Sequence, residues 1–396
     1  MKTRVALNGN DGNWRIGVGE SARFECSDTV DWKALETFLE RYHDRTRFVL
    51  LSYELRDAIY PKDLVEKNRF PLISIWIPES MYLVENNTLR FSEGQDDASN
   101  EALAMACLNE NQPAFEPITW HPRQSKQDYL DQINFLKDQI QQGNLYEINY
   151  CQEFYAENVQ FDSILPVYHA LNKVTKAPYS LLYESENWMI AGASPERFIT
   201  RKGNKLISQP IKGTAPRGKI PEEDARLKEH LATSHKDRTE NVMIVDLVRN
   251  DLSRIAAKNS VQVDELFGVY SFPTVHQLIS TVSCELRDEI TFSDILKATF
   301  PMGSMTGAPK VAVMELAEQT ERFTRDIYSG SAGYIAPNGD FDLNVMIRTL
   351  VVDRENNTAS CGVGGAITIL SDAEEEYQEC RAKVGKILDA TGTCQW

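Results

Sequence analysis

The stretch of residues 191–218 constrains the fold of this chain more than any other stretch. It contains two runs rich in β-forming residues, at positions 197–201 and 205–211. Between these runs lies Gly203-Asn204, and Gly and Asn tolerate the positive φ angles that tight hairpin turns require. The pattern predicts a β-hairpin that turns at these two residues.

The predicted hairpin brings a carboxyl and an amine together, because Glu196 would lie opposite Ile211 or Lys212. Opposed residues of an antiparallel pair are only ~4.5–5.5 Å apart at Cα, and a register shift of one residue would separate the side chains. One interpretation is a surface ion pair, which contributes well under ~1 kcal/mol. The other is a nucleophile beside an acid, because apolar Ile211 and the tight backbone at Gly213 are expected to desolvate the Lys212 amine and lower its pKa.

Charge and cysteine content indicate which partners the chain can bind and in which compartment it lies. The chain has 42 basic and 58 acidic residues and a net charge of −16, which argues against nucleic acid or an anionic membrane as a partner. Its seven cysteines form no C-x-x-C pair, so we predict reduced thiols in a cytoplasmic protein rather than disulfides or a zinc site. The first residues lack the apolar core of a signal peptide, and no apolar run approaches the ~18 residues needed to span a bilayer.

Strand-like and helix-like patterns interleave along the 396 residues without regular βαβ order. This arrangement predicts an α+β fold with antiparallel sheets, in one intertwined domain or in two smaller ones. The polar, proline-containing residues 109–122 are the best boundary candidate, and they divide the chain into residues 1–120 and 121–396. The main predicted helices cover residues 31–43, 125–142, 164–174 and 238–256, and a last helix starts near residue 372.

Local signals predict where several elements turn or begin. Asn86-Asn87 predicts the turn of a hairpin, and Ser125 predicts a helix N-cap. Ser371 with Glu374 has the spacing of a capping box. The helix predicted over 238–256 is expected to pack four apolar residues inward: Val242, Val245, Leu252 and Ile255.

Two motifs resemble the signature of a known enzyme family. They are SPERF at residues 194–198 and PIKGT at residues 210–214, and they are similar to motifs of the chorismate-utilising enzymes. Within that family the match is to the component I group of aminodeoxychorismate synthases, because anthranilate synthases typically have Ala where this chain has Lys212. The resemblance implies two largely antiparallel sheets packed as a core with helices outside. It also implies that residues 1–120 form a variable portion packed on a chorismate-binding catalytic domain of residues 121–396.

The resemblance implies a covalent reaction on chorismate. Lys212 attacks ring carbon C2 while the C4 hydroxyl departs, with Glu196 as the general acid. Ammonia then adds at C4 and expels the lysine, which gives 4-amino-4-deoxychorismate for p-aminobenzoate and folate biosynthesis. No segment resembles a glutamine amidotransferase, so we expect nitrogen to arrive as free ammonia or from a separate glutaminase subunit as a heterodimer partner. The alternatives are an anthranilate synthase component I and a non-catalytic subunit that only binds chorismate.

Acidic residues at two helix starts have both a structural and a functional interpretation. Asp237 and Glu240 would complement a helix dipole, and Glu376, Glu379 and Lys383 share one helix face that would normally be solvated. The resemblance instead assigns Glu240 and Glu379 as ligands of Mg²⁺, with Glu376 and Asp237 beside the metal. Mg²⁺ is commonly held by one or two carboxylates together with waters and an anionic substrate.

Two segments predict cradles for the anionic groups of a substrate. Residues 301–310 open a helix, and residues 362–366 bring glycines to a strand end, so free N–H groups can face an anion in each. Arg348 ends an apolar strand, where an unpaired guanidinium is costly unless an anion meets it. The substrate residues that the resemblance implies are Ser304, Thr306, Tyr328, Arg348, Gly364, Gly365 and Lys383.

The chain departs from the family pattern at a few positions. Relatives that make isochorismate or salicylate use a Lys to activate water, and the matching position here is Glu147, which weighs against a water-using reaction. Many relatives have His where this chain has Gln277, and His276 lies one place out of register, so it is given no catalytic role. Ala366 stands where the family commonly has Gly.

Overall fold

Two large β-sheets form the centre of the structure, a computed structural model that describes residues 2–61 and 69–394. The helices are α1 (Trp32–Arg41), α2 (Leu55–Ile59), α3 (Ala98–Leu108), α4 (Lys126–Gln141), α5 (Leu165–Thr175), α6 (Pro221–Thr233), α7 (His235–Ser253), α8 (Phe292–Thr299), α9 (Lys310–Thr320) and α10 (Ala373–Thr391). A short 3₁₀ turn covers Gly303–Met305. In the described part of the chain, no helix is both long and apolar enough to cross a membrane.

The strands run through the whole chain. They are β1 (Arg4–Asn8), β2 (Trp14–Val18), β3 (Ala22–Cys26), β4 (Arg47–Leu51), β5 (Ile73–Ile77), β6 (Ser80–Glu85), β7 (Thr88–Gly94), β8 (Ile118–Pro122), β9 (Glu147–Glu157), β10 (Tyr179–Glu184), β11 (Trp188–Ser194), β12 (Arg197–Lys202), β13 (Lys205–Gln209), β14 (Ile211–Pro216), β15 (Gln262–Ser271), β16 (Val275–Glu285), β17 (Gly307–Ala308), β18 (Ser331–Ile335), β19 (Phe341–Val345), β20 (Thr349–Asp353), β21 (Thr358–Ile367) and β22 (Gly392–Cys394).

Strand pairing is antiparallel almost throughout. The first sheet has the order β22-β8-β9-β21-β20-β11-β10-β1-β2-β6-β7, with β17 beside β9. The second sheet has the order β14-β16-β13-β12-β19-β18-β4-β5-β3, with β15 beside β16. Among the described pairs, β22 with β8 is parallel and the remaining pairs are antiparallel. The predicted α+β class with antiparallel sheets is confirmed.

The alternation of side chains along the strands explains the layering. In β4, Phe48 and Leu50 join a cluster that also holds Val5 of β1, so this cluster lies between the two sheets. The intervening Val49 and Leu51 point to the other face, where they pack with residues of α1, α7 and α8. The outer face of the first sheet is covered in the same way by α3, α4, α5 and α10. The expected two-sheet core with helices outside is therefore confirmed.

Several predicted element ends are also confirmed. Ser125 caps α4 by accepting the N–H of Asp128, whose side chain returns the contact in a capping box. The turn between β6 and β7 falls at Asn86-Asn87, and both residues have positive φ, 50° and 61°. Short polar side chains therefore set these ends as the sequence predicts.

The predicted cap of the last helix is wrong by one residue. Asp372 caps α10, because its side chain accepts the N–H groups of Glu374 and Glu375. The Ser371 hydroxyl instead accepts the N–H of Thr368. An ionised carboxylate is the stronger acceptor for these orphan donors, so it takes the position that the serine was expected to hold.

The long helix α7 begins and ends three residues earlier than predicted, so Ile255 lies just beyond its last turn, and the apolar residues pack as expected except at one position. Val245, Leu252 and Ile255 are buried. Val242, which was expected inside, is 41% exposed, so its prediction is wrong. The inward face of the helix is instead completed by polar Asn241, which is fully buried.

The central hairpin was predicted correctly at its turn and wrongly at its far end. β12 and β13 pair across a turn at Gly203, which has φ +59°. Pro210 then separates β13 from β14, and β14 pairs with β16 rather than with β12. Proline has no N–H for a ladder, so the strand ends there and Lys212 does not lie opposite Glu196 as predicted.

The boundary predicted at residues 109–122 contains an irregular connection at residues 109–117, and its last five residues form β8. Strands from both sides of this connection share each sheet, since β1 pairs with β10 and β4 pairs with β18. The division into residues 1–120 and 121–396 stays a prediction, and in the fold the two portions are joined by continuous sheets.

Gly333 and Gly385 give opposite expected effects on stability. A Cβ on Gly333 in β18 would lie 2.0 Å from the carbonyl oxygen of Asp342, whereas one on Gly385 in α10 would meet nothing within 4 Å. We expect Gly333→Ala to lower the free energy of unfolding by more than ~2 kcal/mol. Gly385→Ala is expected to raise it by about 0.5–1 kcal/mol, because alanine favours a helix interior. Urea unfolding of the two variants measures this, and equal effects would contradict the packing described here.

Candidate functional site

One cavity of about 550 Å³ gathers nearly all of the predicted site residues. Strands of both sheets line it, together with α7, α10 and the connection between β19 and β20. The predicted residues in its wall are Glu196, Lys212, Asp237, Glu240, Ser304, Tyr328, Arg348, Gly364, Gly365, Glu376, Glu379 and Lys383. Residues far apart in sequence therefore meet at one place.

A bulge in β14 positions Lys212. The register with β16 shifts between Ile211 and Thr214, and Gly213 has φ +88°. Only glycine adopts this conformation readily, and a Cβ there would also lie 2.8 Å from Asp237 Oδ1. Bulges commonly re-aim a side chain next to a site. Here the bulge accompanies the turn of the Lys212 side chain into the cavity wall.

The partner of Lys212 is Glu147, the first residue of β9. Lys212 Nζ lies 2.7 Å from Glu147 Oε1, and the two side chains are 9% and 1% exposed. Burial alone lowers the pKa of the amine, but the charges of Glu147 and Glu240 outweigh it, so the pKa of Lys212 is raised. The expectation of a lowered pKa is wrong, because sequence reasoning did not place a carboxylate against the amine.

Glu196 is fixed through its backbone and is poised near neutral pH. Its N–H donates to the Ser194 hydroxyl at 3.2 Å, and its carbonyl accepts the N–H of Val345 at 3.0 Å. Burial raises the pKa of its carboxyl to about 7, against the opposing effects of Ser304 and Lys212. At neutral pH this carboxyl is therefore about half protonated and can act as an acid.

The acidic wall of the cavity is built from α7 and α10. Glu376 pairs with Lys236 at 3.0 Å, and Glu379 pairs with Lys383 at 2.7 Å. The Lys383 charge lowers the pKa of Glu379, whereas burial raises the pKa of Glu240 to about 7. Glu376 and Glu379 lie in the same cavity wall, as their spacing on one helix predicts, and Glu240 of α7 joins them there.

The donor set fits a magnesium ion that shares its coordination with a substrate. Among the described residues, no three His, Cys, Asp or Glu side chains assemble into a metal-binding group. Glu240 Oε1, however, is buried without a hydrogen-bond partner, and Glu379 reaches the same cavity. Carboxylate oxygens are the ligands that Mg²⁺ prefers, and two suffice when waters and an anion complete the shell.

Tyr328 and Arg348 also line the cavity. A Cβ on Gly362 would lie 2.3 Å from Tyr328 Cγ, so this glycine leaves room for the ring. Arg348 lies in the connection between β19 and β20 with φ +54°, not at a strand end as expected. Its guanidinium makes no hydrogen bond or ion pair with any described residue, and burial lowers its pKa. An unpaired guanidinium in a cavity wall suits an anionic ligand.

The two predicted anion cradles have different outcomes. Gly364 and Gly365 line the cavity, and a side chain on Gly364 would collide with Cys151 Sγ at 2.6 Å. The start of α9 does not line it, and Thr306 is absent from the wall. The Thr306 hydroxyl donates to the carbonyls of Met302 and Gly303, and its substrate contact stays a prediction.

Sequence reasoning missed three residues that shape the site. Asn149 lines the cavity and donates to the Ser304 carbonyl at 3.2 Å, and its position two residues after Glu147 on a strand was the available signal. Lys236 lies beside predicted Asp237 in the same helix turn. Arg325 donates to the carbonyls of Met305 and Asn149, at 2.8 and 3.0 Å, which ties the 3₁₀ turn to β9. No local pattern marks Arg325.

Gln277 lines the cavity, whereas His276 is fully buried outside it. His276 Nε2 lies 3.0 Å from Asp224 Oδ1, and Nδ1 lies 2.8 Å from the Ser271 hydroxyl. Alternate residues of a strand point to opposite faces, which explains why only one of the two reaches the site.

The buried Lys212–Glu147 pair has a measurable coupling. We expect Lys212→Met and Glu147→Gln each to lower the free energy of unfolding by roughly 2–3 kcal/mol, because each leaves a buried group without its charged partner. The double variant is expected to lose at least about 1 kcal/mol less than the sum of the two. Urea unfolding of the four proteins measures the coupling, and strictly additive losses would contradict the pair.

Comparison with known proteins gives relatives over most of the chain. Aminodeoxychorismate synthase component 1 from Escherichia coli (strain K12) is 40% identical over 271 residues, which is 68% of this chain and 58% of that protein. A probable chloroplastic aminodeoxychorismate synthase from Oryza sativa subsp. japonica is 44% identical over 262 residues, 65% of this chain and 29% of that protein. The matched region thus spans less than two thirds of the length of these relatives.

Solved structures share the fold. Anthranilate synthase component I from Streptococcus pneumoniae TIGR4 has a TM-score of 0.76 at 24% identity, over 98% of this chain and 92% of that chain. The menaquinone-specific isochorismate synthase from Escherichia coli has a TM-score of 0.75 at 18% identity, over 98% and 88%. A family model described as chorismate binding enzyme matches residues 3–389. The chain therefore belongs to the family of chorismate binding enzymes.

Proposed function

We propose that this chain is component I of an aminodeoxychorismate synthase, which converts chorismate and ammonia to 4-amino-4-deoxychorismate with Mg²⁺ as cofactor. The observation that carries the proposal is that the Lys212 amine and the Glu196 carboxyl line one cavity with Arg348 and the acidic wall of α7 and α10. Replacement of the C4 hydroxyl of chorismate by ammonia requires a nucleophile, an acid and two sites for carboxylates. One carboxylate site is a guanidinium and the other is a metal ion held by carboxylates.

The charges in the cavity suit a substrate with two carboxylates. Five basic and five acidic residues line it: Lys212, Lys236, Arg348, Lys383 and Lys386, and Glu196, Asp237, Glu240, Glu376 and Glu379. Arg348 is unpaired among the described residues, so it is available to one carboxylate. The other carboxylate would lie toward Glu240 and Glu379. Because all three groups are negatively charged, a cation must lie between the substrate and the glutamates.

Glu240 and Glu379 would hold Mg²⁺, and the buried, unpartnered Glu240 Oε1 supports that assignment. When bound, the ion withdraws electrons from the ring through the carboxylate and eases addition to the conjugated system. Glu376 and Asp237 would lie beside it, because Glu376 is neutralised by Lys236 and Asp237 is at the start of α7. Lys383 orders this side by donating to the Gly364 carbonyl at 3.0 Å.

Lys212 and Glu196 have different roles in the proposed reaction, one as nucleophile and the other as proton donor. Lys212 Nζ forms a bond to C2, the C4–O bond breaks, and Glu196 delivers its proton so that water leaves. Ammonia forms the C4–N bond and Lys212 departs, so one hard substitution becomes two easier ones. The Glu196 pKa of about 7 supports its assignment as the acid.

Two observations bear on the rival functions. The position that would need a base for water carries Glu147, which is held by Lys212, and this weighs against an isochorismate-forming reaction. Lys212 itself weighs against anthranilate synthase component I, although one such relative, from Haloarcula marismortui, is 36% identical over 271 residues. A non-catalytic role would leave the buried acid and amine without a use.

Ammonia would come from a separate glutamine amidotransferase subunit. Relatives that are called component 1 support a partner component. Seven free thiols in the described ranges suit a reducing compartment, so we propose a cytoplasmic location.

Product identity tests the reaction directly. With chorismate, Mg²⁺ and an ammonium salt, we expect 4-amino-4-deoxychorismate by mass spectrometry, without pyruvate release. Chorismate without ammonia should leave a covalent adduct on the intact protein, and Lys212→Ala should remove it and lower turnover at least ~10³-fold. Lys205→Ala is the matched control, because that lysine is a surface residue paired with Asp264 outside the cavity. Anthranilate with pyruvate, or an unchanged adduct in Lys212→Ala, would overturn the proposal.

The pH dependence tests the role of Glu196. The ratio of kcat/KM for the wild type to that for Glu196→Gln should be constant below pH about 7 and fall about tenfold per pH unit above it. The reason is that only the protonated Glu196 carboxyl can donate a proton. Taking the ratio of the two kcat/KM values at the same ammonia concentration cancels the titration of other groups. Exposed Glu229→Gln is the control and should give a ratio near one throughout. A Glu196→Gln ratio that stays constant between pH 6 and 9 would rule out an acid of this pKa.

A further inference from the structure

We propose that Glu147 is the internal base of the site: it holds the Lys212 amine in the cavity wall and accepts its proton when the amine attacks. This inference rests on the proposed function, since it concerns how the same nucleophile is generated. Sequence reasoning treated Glu147 only as a departure from a water-activating lysine, and the structure gives it a contact of its own.

The geometry leaves one proton acceptor for the amine. Among the described residues, Glu147 is the hydrogen-bond and ion-pair partner of Lys212, at 2.7 Å. Other carboxylates face the amine from neighbouring elements without such a contact: Glu196 after β11, Glu240 on α7 and Glu379 on α10. Glu196 is assigned the proton that leaves with the hydroxyl, and Glu240 and Glu379 are assigned to the metal. Glu147 is therefore the carboxylate free to take the lysine proton.

The Glu147 carboxyl is buried and only one of its two oxygen atoms has a hydrogen-bond partner. Its side chain is 1% exposed, and its Oε2 atom is buried without a hydrogen-bond partner. Burying a carboxylate oxygen without a donor is costly, and a neutral carboxyl removes most of that cost. Transfer of the proton along the 2.7 Å contact leaves a neutral amine beside a neutral carboxyl, so the buried wall is left with no unpaired charge.

The proton transfer also explains how Lys212 can act as a nucleophile although it rests as an ammonium. A raised pKa keeps Lys212 as an ammonium, which has no lone pair for attack. When the proton moves from Nζ to Glu147 Oε1, the freed lone pair forms the bond to C2 as the C4–O bond breaks. In the second step the C2–N bond breaks, the pair returns to Nζ, and Glu147 returns the proton to restore the ion pair. No outside acid or base is needed for Lys212 in this cycle.

The test uses Glu147→Gln, which keeps the size and one acceptor oxygen but cannot take a proton. The rate of adduct formation with chorismate and Mg²⁺, without ammonia, is measured in single turnover from pH 6 to 9. We expect a loss of about 10²-fold or more at pH 7. The ratio of wild-type to variant rates should also fall as pH rises, because the variant must lose the lysine proton to solvent. Glu153→Gln, a buried and ion-paired glutamate of the same strand outside the cavity, is the control and should keep the wild-type rate and profile.

A readout that does not involve the reaction tests whether Glu147 controls the protonation of Lys212, and the pH profiles of the Gln and Asp variants then separate a base from a structural partner. Loss of the Glu147 charge removes the main effect that raises the Lys212 pKa, so an amine-acylating reagent should modify Lys212 at lower pH in Glu147→Gln. Glu147→Asp retains a carboxylate and should keep a pH-independent ratio to wild type at a reduced rate, and this variant carries the test if Glu147→Gln does not fold. A Glu147→Gln protein with the wild-type adduct rate and pH profile would overturn the inference alone. A wild-type protein that forms no adduct would overturn the proposed function as well.

Discussion

The site depends on one buried ion pair that joins the two sheets. Lys212 belongs to β14 of the second sheet and Glu147 to β9 of the first, and their charged atoms lie 2.7 Å apart. A buried charge that loses its partner is strongly destabilising, so neither strand can shift far without the other. The contact therefore fixes the position of the amine and the spacing of β14 and β9 together.

The electrostatics of the cavity differ from those of the whole chain. A net charge of −16 would repel a dianionic substrate at long range, yet the cavity wall carries as many basic as acidic residues. Most of the basic ones are already paired with glutamates, as Lys236 is with Glu376 and Lys383 with Glu379. Arg348 stays unpaired, so it is the strongest anchor for an anion. If chorismate is the substrate, as proposed, its affinity would thus come from local groups at short range, where salt and net charge matter little.

Features that depend on a few adjacent residues could be predicted from the sequence. Ser125 caps its helix, Asn86-Asn87 turns its hairpin, and Glu376 with Glu379 and Lys383 shares one helix face, because each depends only on local geometry. The family motifs extended this to residues hundreds of positions apart, since a motif carries tertiary information that periodicity lacks. The fold class could also be predicted, because strands and helices that interleave without βαβ order are compatible with few other arrangements.

The failures share a cause, which is competition between local signals and groups that arrive from elsewhere in the chain. The hairpin was expected to run on to Lys212, but Pro210 removes a ladder donor and β16 offers β14 a better partner. The amine was expected to have a lowered pKa from its apolar neighbours, but Glu147 comes from a strand 65 residues earlier and reverses the direction of the shift. In each case the local environment was identified correctly and the competing partner was not. The partner decides the outcome, because a buried polar group takes whichever contact satisfies it best.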